Sequence, residues 1–352
     1  NKGSLNNCYS AGFVPDSLEG IMQTATDIAM TFKAQGGQGL SLSKIRPKGS
    51  LINNTFQSDG IVPFMEIFNT VTDSISQGGS RKGALMMSLD INHPEIETFM
   101  KIKSDHNKIT KANLSVEIDD DFMQRVEAGD SEANRIFNIL CEQACKHAEP
   151  GVLFTNKLRN YNLMEYVDSY QIETCNPCGE QPLLPYEACN LGSINLGRCV
   201  VEEDGILSID YDKLTEIVHK AVHFLDNVID VNHYPLPAID EMTRKTRKIG
   251  LGVMGFADLL LKLGVPYNSV EAERVAEEVM SLIQSEGTKA SVELALERGT
   301  FPAWEDSVFA EKYEIRNATI TTIAPTGTIS IIGERNGYRP LLHIACFRYF
   351  HI

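Results

Sequence analysis

The chain has 352 residues, of which 43% are hydrophobic and 22% charged, and this composition excludes a disordered chain, a collagen-like repeat and a coiled coil. Its 47 acidic residues outnumber the 32 lysines and arginines, so the formal net charge is -15, whereas a nucleic-acid-binding surface would need a basic field. Small anionic substrates stay compatible with this charge, because a local group of backbone N–H groups can hold a phosphate.

The eight cysteines are too few for a disulfide scaffold in a chain of this length. The first residues lack the pattern of a secretory signal, and no apolar run reaches the roughly 20 residues that span a bilayer. We therefore expect a cytoplasmic protein without a membrane contact. The sequence begins at Asn1 among polar, loop-like residues and ends at Ile352 without a tail, so we expect a fragment of one domain (1–352) that is cut at both ends.

Helical and strand patterns alternate along the chain and predict an α/β sheet or barrel. Asp16 and Glu19 have the spacing of a capping box, which predicts a helix with Asp16 as its N-cap. A second helix is predicted around 64–75. The predicted strands cover 40–43, 84–91, 112–118 and 318–323. Longer amphipathic helices are predicted near 131–147, 211–230, 238–248 and 270–298.

The densest group of reactive residues lies between Cys175 and Cys189. Two prolines and a glycine exclude a helix there and favour a tight loop. Asn176, Cys178 and Glu180 occupy alternate positions, so an extended segment would present all three on one face. Such a face would place a radical or nucleophilic sulfur between a hydrogen-bonding group and a base.

Other interpretations of these cysteines remain open. Cys175 and Cys178 have the spacing of half a zinc site or of a thioredoxin-like dithiol, although a second cysteine pair and the flanking strand-to-helix pattern are both missing from the sequence. They could also be small core residues, the commonest fate of a free thiol. Cys141 and Cys145 lie four residues apart on a predicted helix, and we expect both in the core.

Three glycine-rich stretches each border a predicted element, and they lie at 36–39, 77–83 and 325–328. Such loops let backbone N–H groups approach an anion, and together with Arg46 and Arg81 they favour a nucleotide ligand. A superficial dinucleotide-binding pattern at 250–256 follows a basic helical stretch instead of a strand, so we reject it.

At these residues the chain resembles the catalytic subunit of ribonucleotide reductases. The matching runs are 7–8, 36–49, 77–83, 176–183, 189–196, 247–260 and 324–332. The resemblance implies an α/β fold that forms part of a ten-stranded α/β barrel with a central finger loop. It also implies an oxidoreductase that reduces ribonucleoside diphosphates or triphosphates to 2′-deoxyribonucleotides for DNA synthesis, under allosteric control by nucleotides.

The resemblance assigns the catalytic roles residue by residue. Cys178 looks like the thiyl-radical residue, Glu180 like the base at the 3′ hydroxyl, and Asn176 like the group that hydrogen-bonds the ribose hydroxyls. Cys8 and Cys189 look like the dithiol that supplies two electrons and ends as a disulfide.

The resemblance also assigns binding residues. Substrate contacts are implied at Asn7, Gly37 and Arg81, and a phosphate cradle at Pro325, Thr326, Gly327, Thr328 and Ile329. The effector nucleotide is implied at Asp16, Ser17, Leu18 and Arg46, and the loop 77–83 is implied to report its identity to the substrate.

The spacing from Cys178 to Cys189 looks most like the adenosylcobalamin-dependent class II enzymes, which implies that cofactor and no protein-bound metal on this chain. The alternatives are a class I catalytic subunit with a separate radical-generating subunit, and a non-catalytic nucleotide-binding regulator on the same scaffold. Implied partners are a ribonucleotide substrate, a deoxynucleotide or ATP effector, a thioredoxin-like reductant and a second copy of the chain.

The run 333–340 departs from the family pattern, with Arg339 where the family usually has an acidic residue.

Overall fold

The computed structural model of the chain describes residues 4–53, 55–77, 81–160, 162–164, 167 and 170–333, and the side chains of all of these except residues 76–77 and 81–82. The predicted departure at 333–340 therefore lies outside the described residues, apart from Gly333.

Helices and short strands alternate along the described chain. The strands are β1 (Cys8–Phe13), β2 (Gly37–Ser41), β3 (Leu51–Ile52), β4 (Phe56–Gln57), β5 (Ser76–Gln77), β6 (Arg81–Lys82), β7 (Ala84–Asp90), β8 (Ala112–Ile118), β9 (Gly151–Phe154), β10 (Thr174–Cys175), β11 (Pro182–Leu183), β12 (Ala188–Asn195), β13 (Val200–Glu203), β14 (Ile206–Ile209) and β15 (Ile249–Met254). The α-helices are α1 (Leu18–Lys33), α2 (Val62–Ser74), α3 (Ile96–Lys101), α4 (Asp120–Glu127), α5 (Ser131–His147), α6 (Thr155–Asn160), α7 (Tyr211–Val231), α8 (Pro237–Thr246), α9 (Phe256–Leu263), α10 (Val270–Arg298) and α11 (Gly327–Gly333).

The chain divides into two compact units. The first contains the described residues of 1–189, 232–243 and 306–308, and the second contains those of 190–231, 244–305 and 309–333. The α/β fold predicted from the sequence is confirmed, because both units combine strands with helices.

The first unit is built on a sheet in which β1, β2, β7, β8 and β9 pair in parallel in that order. The first residues of β12 pair with β1 in the antiparallel direction, and Cys189 lies opposite Cys8. Side chains alternate between the two faces of a strand, so each strand contributes to two environments.

One face of this sheet packs against helices and forms the hydrophobic core. Leu40, Met87 and Val116 extend from adjacent strands into a cluster that contains Ile28 and Phe32 of α1 and Phe68 of α2. The other face carries small and polar residues at the intervening positions, among them Gly39, Ser88 and Glu117. The segment containing β10 and β11 lies on that second face.

The second unit pairs β12 with β15 in parallel from Asn190 to Asn195. Gly252 of β15 has no room for a side chain, because an added Cβ would lie 2.1 Å from the carbonyl oxygen of Thr322. Backbone hydrogen bonds join residues 319–322 to β15, and Leu251 and Thr321 form a β-bridge. The strand predicted over 318–323 is therefore present only as this bridge. Fully buried Asp226 accepts hydrogen bonds from Arg247 and Asn317.

The longest elements lie where the sequence predicts them. The helix predicted at 131–147 and the strand predicted at 112–118 match α5 and β8. The N-cap prediction is wrong: Ser17, not Asp16, caps α1, because its hydroxyl accepts the Gly20 N–H while Asp16 turns to Arg46.

None of the described helices is both long and apolar enough to cross a membrane.

Candidate active site

The segment from Asn176 to Gln181 forms a tight turn between β10 and β11. The Gly179 N–H donates to the Asn176 carbonyl at 3.0 Å, and the Gln181 N–H donates to the Asn176 side-chain oxygen at 2.9 Å. Gly179 has a φ of +82°, which favours glycine. The prediction of a tight loop is confirmed, but the extended segment with one shared face is wrong: Asn176 is buried and Cys178 exposed. We call residues 176–181 the catalytic loop, because three of the residues predicted to be catalytic lie in it.

Two glycines of β2 make room for this loop on the sheet. A Cβ at Gly39 would lie 1.8 Å from the Cys175 carbonyl oxygen, and a Cβ at Gly37 would lie 2.9 Å from the Pro177 ring. Only a strand without side chains at these positions lets the loop approach so closely. The glycine-rich stretch 36–39 thus has a packing role in addition to the anion contact that its sequence suggests.

Cys8 lies at the centre of the site. It faces Cys189 on the neighbouring strand, and residues directly opposite in an antiparallel pair have Cβ atoms about 4.5–5.5 Å apart on the same face. The Asn176 side-chain amide donates to the Cys8 sulfur at 3.2 Å, and the Cys8 thiol is 3.6 Å from Glu180 Oε1, which accepts its hydrogen bond. Four of the five predicted catalytic residues therefore meet at one sulfur pair.

Burial raises the pKa of the Cys8 thiol well above its ordinary value, and the negative charge of Glu180 and the neighbouring Cys189 add to the increase. The hydrogen bond from Asn176 acts in the opposite direction, and Cys178 contributes a smaller increase, which locates the fifth residue within electrostatic reach. Cys8 therefore keeps its proton at neutral pH. Cys178 is exposed, whereas Cys8 and Cys189 are buried.

The remaining cysteines differ in their surroundings. Cys175 is fully buried against Met86 and Leu153, and burial raises the pKa of its thiol, so the core interpretation holds for this residue. Cys141 and Cys145 are exposed on α5, so the prediction that they lie in the core is wrong. Among the described residues, no three His, Cys, Asp or Glu side chains are grouped as metal ligands.

The residues predicted to hold the effector lie in the segments that follow β1 and β2. Arg46 Nε donates to Asp16 Oδ2 at 2.7 Å, and the Arg46 backbone N–H donates to Asp16 Oδ1 at 3.2 Å. Ser17 caps α1, and the Leu18 side chain is exposed. The four residues are therefore neighbours, although a ligand at this position stays a prediction.

The residues predicted to contact substrate are distributed over both units. Gly37 donates its N–H to the carbonyl of Asn7 at 2.9 Å beside Cys8, and the Arg81 side chain lies outside the described part of the chain. Pro325 to Ile329 belong to the second unit, where Thr326 has a φ of +55° and α11 begins at Gly327. Their contact with a phosphate stays a prediction.

A polar cluster that the sequence does not predict lies beneath the loop. Ser88 donates to Glu117 Oε1 at 2.6 Å and is 3.1 Å from the Thr174 hydroxyl, and Ser43 donates to Glu117 Oε2 at 3.0 Å. Burial raises the pKa of Glu117. A glutamate inside the apolar strand pattern of residues 112–118 was the available signal.

Comparison with known proteins agrees with this geometry. A family model described as ribonucleotide reductase, barrel domain, matches residues 7–133 and 130–314. A vitamin B12-dependent ribonucleoside-diphosphate reductase of Thermoplasma acidophilum is 45% identical over 99% of this chain and 47% of its own length, and one of Mycobacterium tuberculosis is 41% identical over 98% and 52%. The structure of the class Id ribonucleotide reductase alpha subunit of Actinobacillus ureae superposes with a TM-score of 0.80 at 26% identity, covering 94% of this chain and 61% of that one.

The chain spans about half the length of the two curated relatives. The family match covers most of the chain, and it includes the strand with Cys8, the catalytic loop and Cys189. The chain belongs to the ribonucleotide reductase family and contributes residues of its barrel domain.

Proposed function

We propose that this protein reduces ribonucleotides to 2′-deoxyribonucleotides by a thiyl-radical mechanism, with residues 1–352 as part of one catalytic barrel domain. The observation that carries the proposal is the arrangement around Cys8, where Cys189, Asn176 and Glu180 surround a buried thiol and Cys178 lies on the same loop. A site for reduction needs a dithiol, a proton acceptor and a radical position within reach of one ribose.

In this mechanism each residue has one task. The Cys178 thiyl radical takes the 3′ hydrogen atom of the ribose and later returns it. Glu180 accepts the proton of the 3′ hydroxyl and returns it before the product leaves, and Asn176 orients the hydroxyls. Of the two thiol hydrogens of Cys8 and Cys189, one leaves with the 2′ hydroxyl as water and the other, with the two electrons of the dithiol, ends at C2′. The products are therefore a deoxyribonucleotide, water and one disulfide. The raised pKa of Cys8 supports its role as proton donor, because the thiol stays protonated at neutral pH.

The cofactor we propose is adenosylcobalamin, in agreement with the names of the two curated relatives. When bound, it supplies a radical equivalent by homolysis of its cobalt–carbon bond. The exposure of Cys178 fits a bulky group that must reach this thiol, and the burial of Cys8 and Cys189 keeps the dithiol away from the same group. We therefore expect the catalytic loop, through Cys178, to be the part of the described chain next to the cofactor.

Further partners follow from the proposed reaction. A deoxynucleotide or ATP effector would bind at Asp16, Ser17, Leu18 and Arg46, and Gln77 to Gly83 would transmit its identity to substrate. A thioredoxin-like reductant would reopen the Cys8–Cys189 disulfide, which fits a reducing cytoplasm. The exposed side chains of Leu18, Met22 and Met30 follow one face of α1 and support a homodimer.

The assay uses the intact protein with ribonucleoside diphosphates and triphosphates, a dithiol, and adenosylcobalamin present or absent. We expect a deoxyribonucleotide product only with the cofactor. Cys178→Ser should lower turnover by at least about a thousandfold, because the radical position is lost. Cys141→Ser, at an exposed cysteine on α5, is the matched control and should stay within about twofold of the unmodified protein.

Two results would change the assignment. Product formation that needs a second, radical-generating protein instead of adenosylcobalamin would support the class I alternative. Nucleotide binding without any product would support a non-catalytic regulator. The arrangement around Cys8 favours the enzyme. Its four side chains come from distant parts of the sequence, and a nucleotide-binding regulator would have no use for bringing them together.

A further inference from the structure

Glu173 precedes the catalytic loop and contacts Phe13, which lies at the end of β1 opposite to Cys8. Its Oε2 accepts the backbone N–H of Phe13 at 2.7 Å, and its Oε1 is 3.7 Å from the Lys44 ammonium group. Lys44 also lies over the Phe13 ring, 4.0 Å from the centroid. The carboxylate thereby ties the chain just before the loop to the ends of two strands.

The position of this carboxylate depends on a bulge in β1. The pairing of β1 with β2 shifts register between Ser10 and Gly12, and Gly12 has a φ of +74°. A Cβ at Gly12 would lie 2.6 Å from Glu173 Oε2. The bulge thus turns the Phe13 N–H toward Glu173 and leaves a space that only glycine provides.

The next residue makes a second anchor on the same face of the sheet. The Thr174 hydroxyl lies 3.1 Å from the Ser88 hydroxyl, which donates to the buried carboxyl of Glu117. Thr174 precedes Asn176 by two residues and Cys178 by four. Two consecutive side chains therefore fix the entry of the loop, one to the backbone of β1 and one to the centre of the sheet.

Rigid positioning matters at this point because the loop holds Asn176 and Glu180 against the Cys8 sulfur and also carries Cys178. Misplacement by about 1 Å can cost two orders of magnitude in rate, and side chains on a loop need supporting hydrogen bonds to hold that precision. We propose that Glu173 is a positioning residue, which holds the catalytic loop over Cys8 through the Phe13 N–H and Lys44, with Thr174 as its second point of attachment. The mechanistic part of this inference rests on the proposed function.

The chain provides a matched control. Glu149 makes the same pair of contacts elsewhere in the first unit, since its Oε2 accepts the Leu114 N–H at 3.2 Å and lies 2.5 Å from Lys103 Nζ. The two glutamate side chains are exposed to similar extents, 19% for Glu173 and 24% for Glu149. Replacing either one removes comparable interactions, but only Glu173 adjoins the loop.

The first measurement needs no turnover. In the intact protein, the rate at which iodoacetamide labels Cys8 is followed by peptide mass spectrometry. Cys8 is only 5% exposed and contacts Asn176 and Glu180, so a displaced loop would uncover it. Glu173→Ala should raise the labelling rate about tenfold, whereas Glu149→Ala and Glu173→Gln, which keeps a side-chain acceptor, should stay within about threefold.

The second measurement separates chemistry from binding. In Glu173→Ala we expect kcat to fall about tenfold with the substrate dissociation constant unchanged, because the loop carries the reacting groups. If Glu173→Ala does not fold, Glu173→Asp and Glu149→Asp replace the alanine pair. The shorter aspartate at 173 cannot reach both partners, and it should raise Cys8 labelling about threefold over its control.

The outcomes are separable. Equal labelling and equal kcat in the Glu173 and Glu149 variants would overturn the positioning role, even if the protein reduces ribonucleotides. Absence of turnover in the unmodified protein would overturn the proposed function. In that case, enhanced Cys8 labelling specific to the Glu173 variants would still support the anchor.

Discussion

At Cys8, burial and the neighbouring side chains determine whether the sulfur carries its proton. Burial and the Glu180 carboxylate raise the pKa of this thiol, and the amide of Asn176 lowers it. A thiol that stays protonated can deliver a proton to a leaving hydroxyl, and a thiolate cannot. The same residue would then supply one of the two sulfurs of the product disulfide.

Glu180→Gln should lower the pKa of Cys8, because it removes the negative charge that opposes the thiolate. A lower pKa means a larger thiolate fraction at pH 8. We therefore expect iodoacetamide to label Cys8 about three to ten times faster in this variant, with the full pH profile of the rate shifted to lower pH. Asp16→Asn serves as a control for a carboxylate outside the site. An unchanged or slower rate in Glu180→Gln would contradict the electrostatic account.

Single residues also show where sequence reasoning succeeds and where it fails. The spacing of the sequence singles out Asn176 and Glu180, and the resemblance adds Cys8 and Cys189. The structure brings these four residues together. The N-cap was assigned one residue early, since Asp and Ser both suit that position and only the Arg46 contact decides between them.

At the scale of elements, the approach of the catalytic loop to β2 depends on Gly39. In Gly39→Ala the new Cβ would lie 1.8 Å from the Cys175 carbonyl oxygen, so β10 and the catalytic loop that follows it must move. We expect a loss of about 3 kcal/mol in the free energy of unfolding, measured by urea denaturation of the intact protein, together with faster labelling of Cys8. In Gly151→Ala the nearest atom to the added Cβ is the Ser115 hydroxyl at 3.1 Å, which can rotate, so this control should lose less than about 1 kcal/mol. Equal losses in both variants would argue against the close approach.

Glu117, on the same face of the sheet, makes the stability of the fold depend on pH. Its pKa in the folded state is raised, chiefly by burial, so its contribution to stability is fully present below the ordinary glutamate value and is lost as pH rises through the folded value. Glu117→Gln has no proton to lose.

The free energy of unfolding of Glu117→Gln, relative to the unmodified protein, should therefore increase as pH rises above about 4.3, by about 1.4 kcal/mol for each unit by which the folded pKa is raised. Urea midpoints between pH 4.5 and 8 measure this difference. Glu66→Gln, at an exposed carboxylate, provides the control. A difference that shrinks with rising pH would contradict the assigned direction of the shift.

Element boundaries follow the strength of the local pattern. The strand predicted at 112–118 and the helix predicted near 131–147 agree with β8 and α5, because a long periodic segment leaves few alternatives. The two-residue strands β10 and β11 carry no such period, and tertiary contact with Gly37 and Gly39 shapes the turn between them. The face of α5 that holds Cys141 and Cys145 was misassigned because cysteine at helical spacing does not by itself indicate burial.

At the scale of the whole molecule, the exposed apolar face of α1 tests the proposed homodimer. Met22 is 46% exposed and lies one turn from Leu18. If this face is an interface, Met22→Glu should weaken the dimer by at least about tenfold, because a charge would be buried against an apolar partner. Sedimentation of the intact protein measures the effect. Leu296→Glu, at an exposed leucine of α10, should leave the dimer intact, and a monomeric unmodified protein would contradict the proposal.

The most direct test of the account is a disulfide map of the intact protein after reduction and mild oxidation under native conditions. The register of β1 and β12 sets Cys8 opposite Cys189, and the proposed reaction ends with these two sulfurs joined. Peptide mass spectrometry should find a dominant Cys8–Cys189 bridge, with Cys178 outside any disulfide. A dominant Cys175–Cys178 bridge, or Cys8 left as a thiol, would contradict the dithiol role on which the mechanism depends.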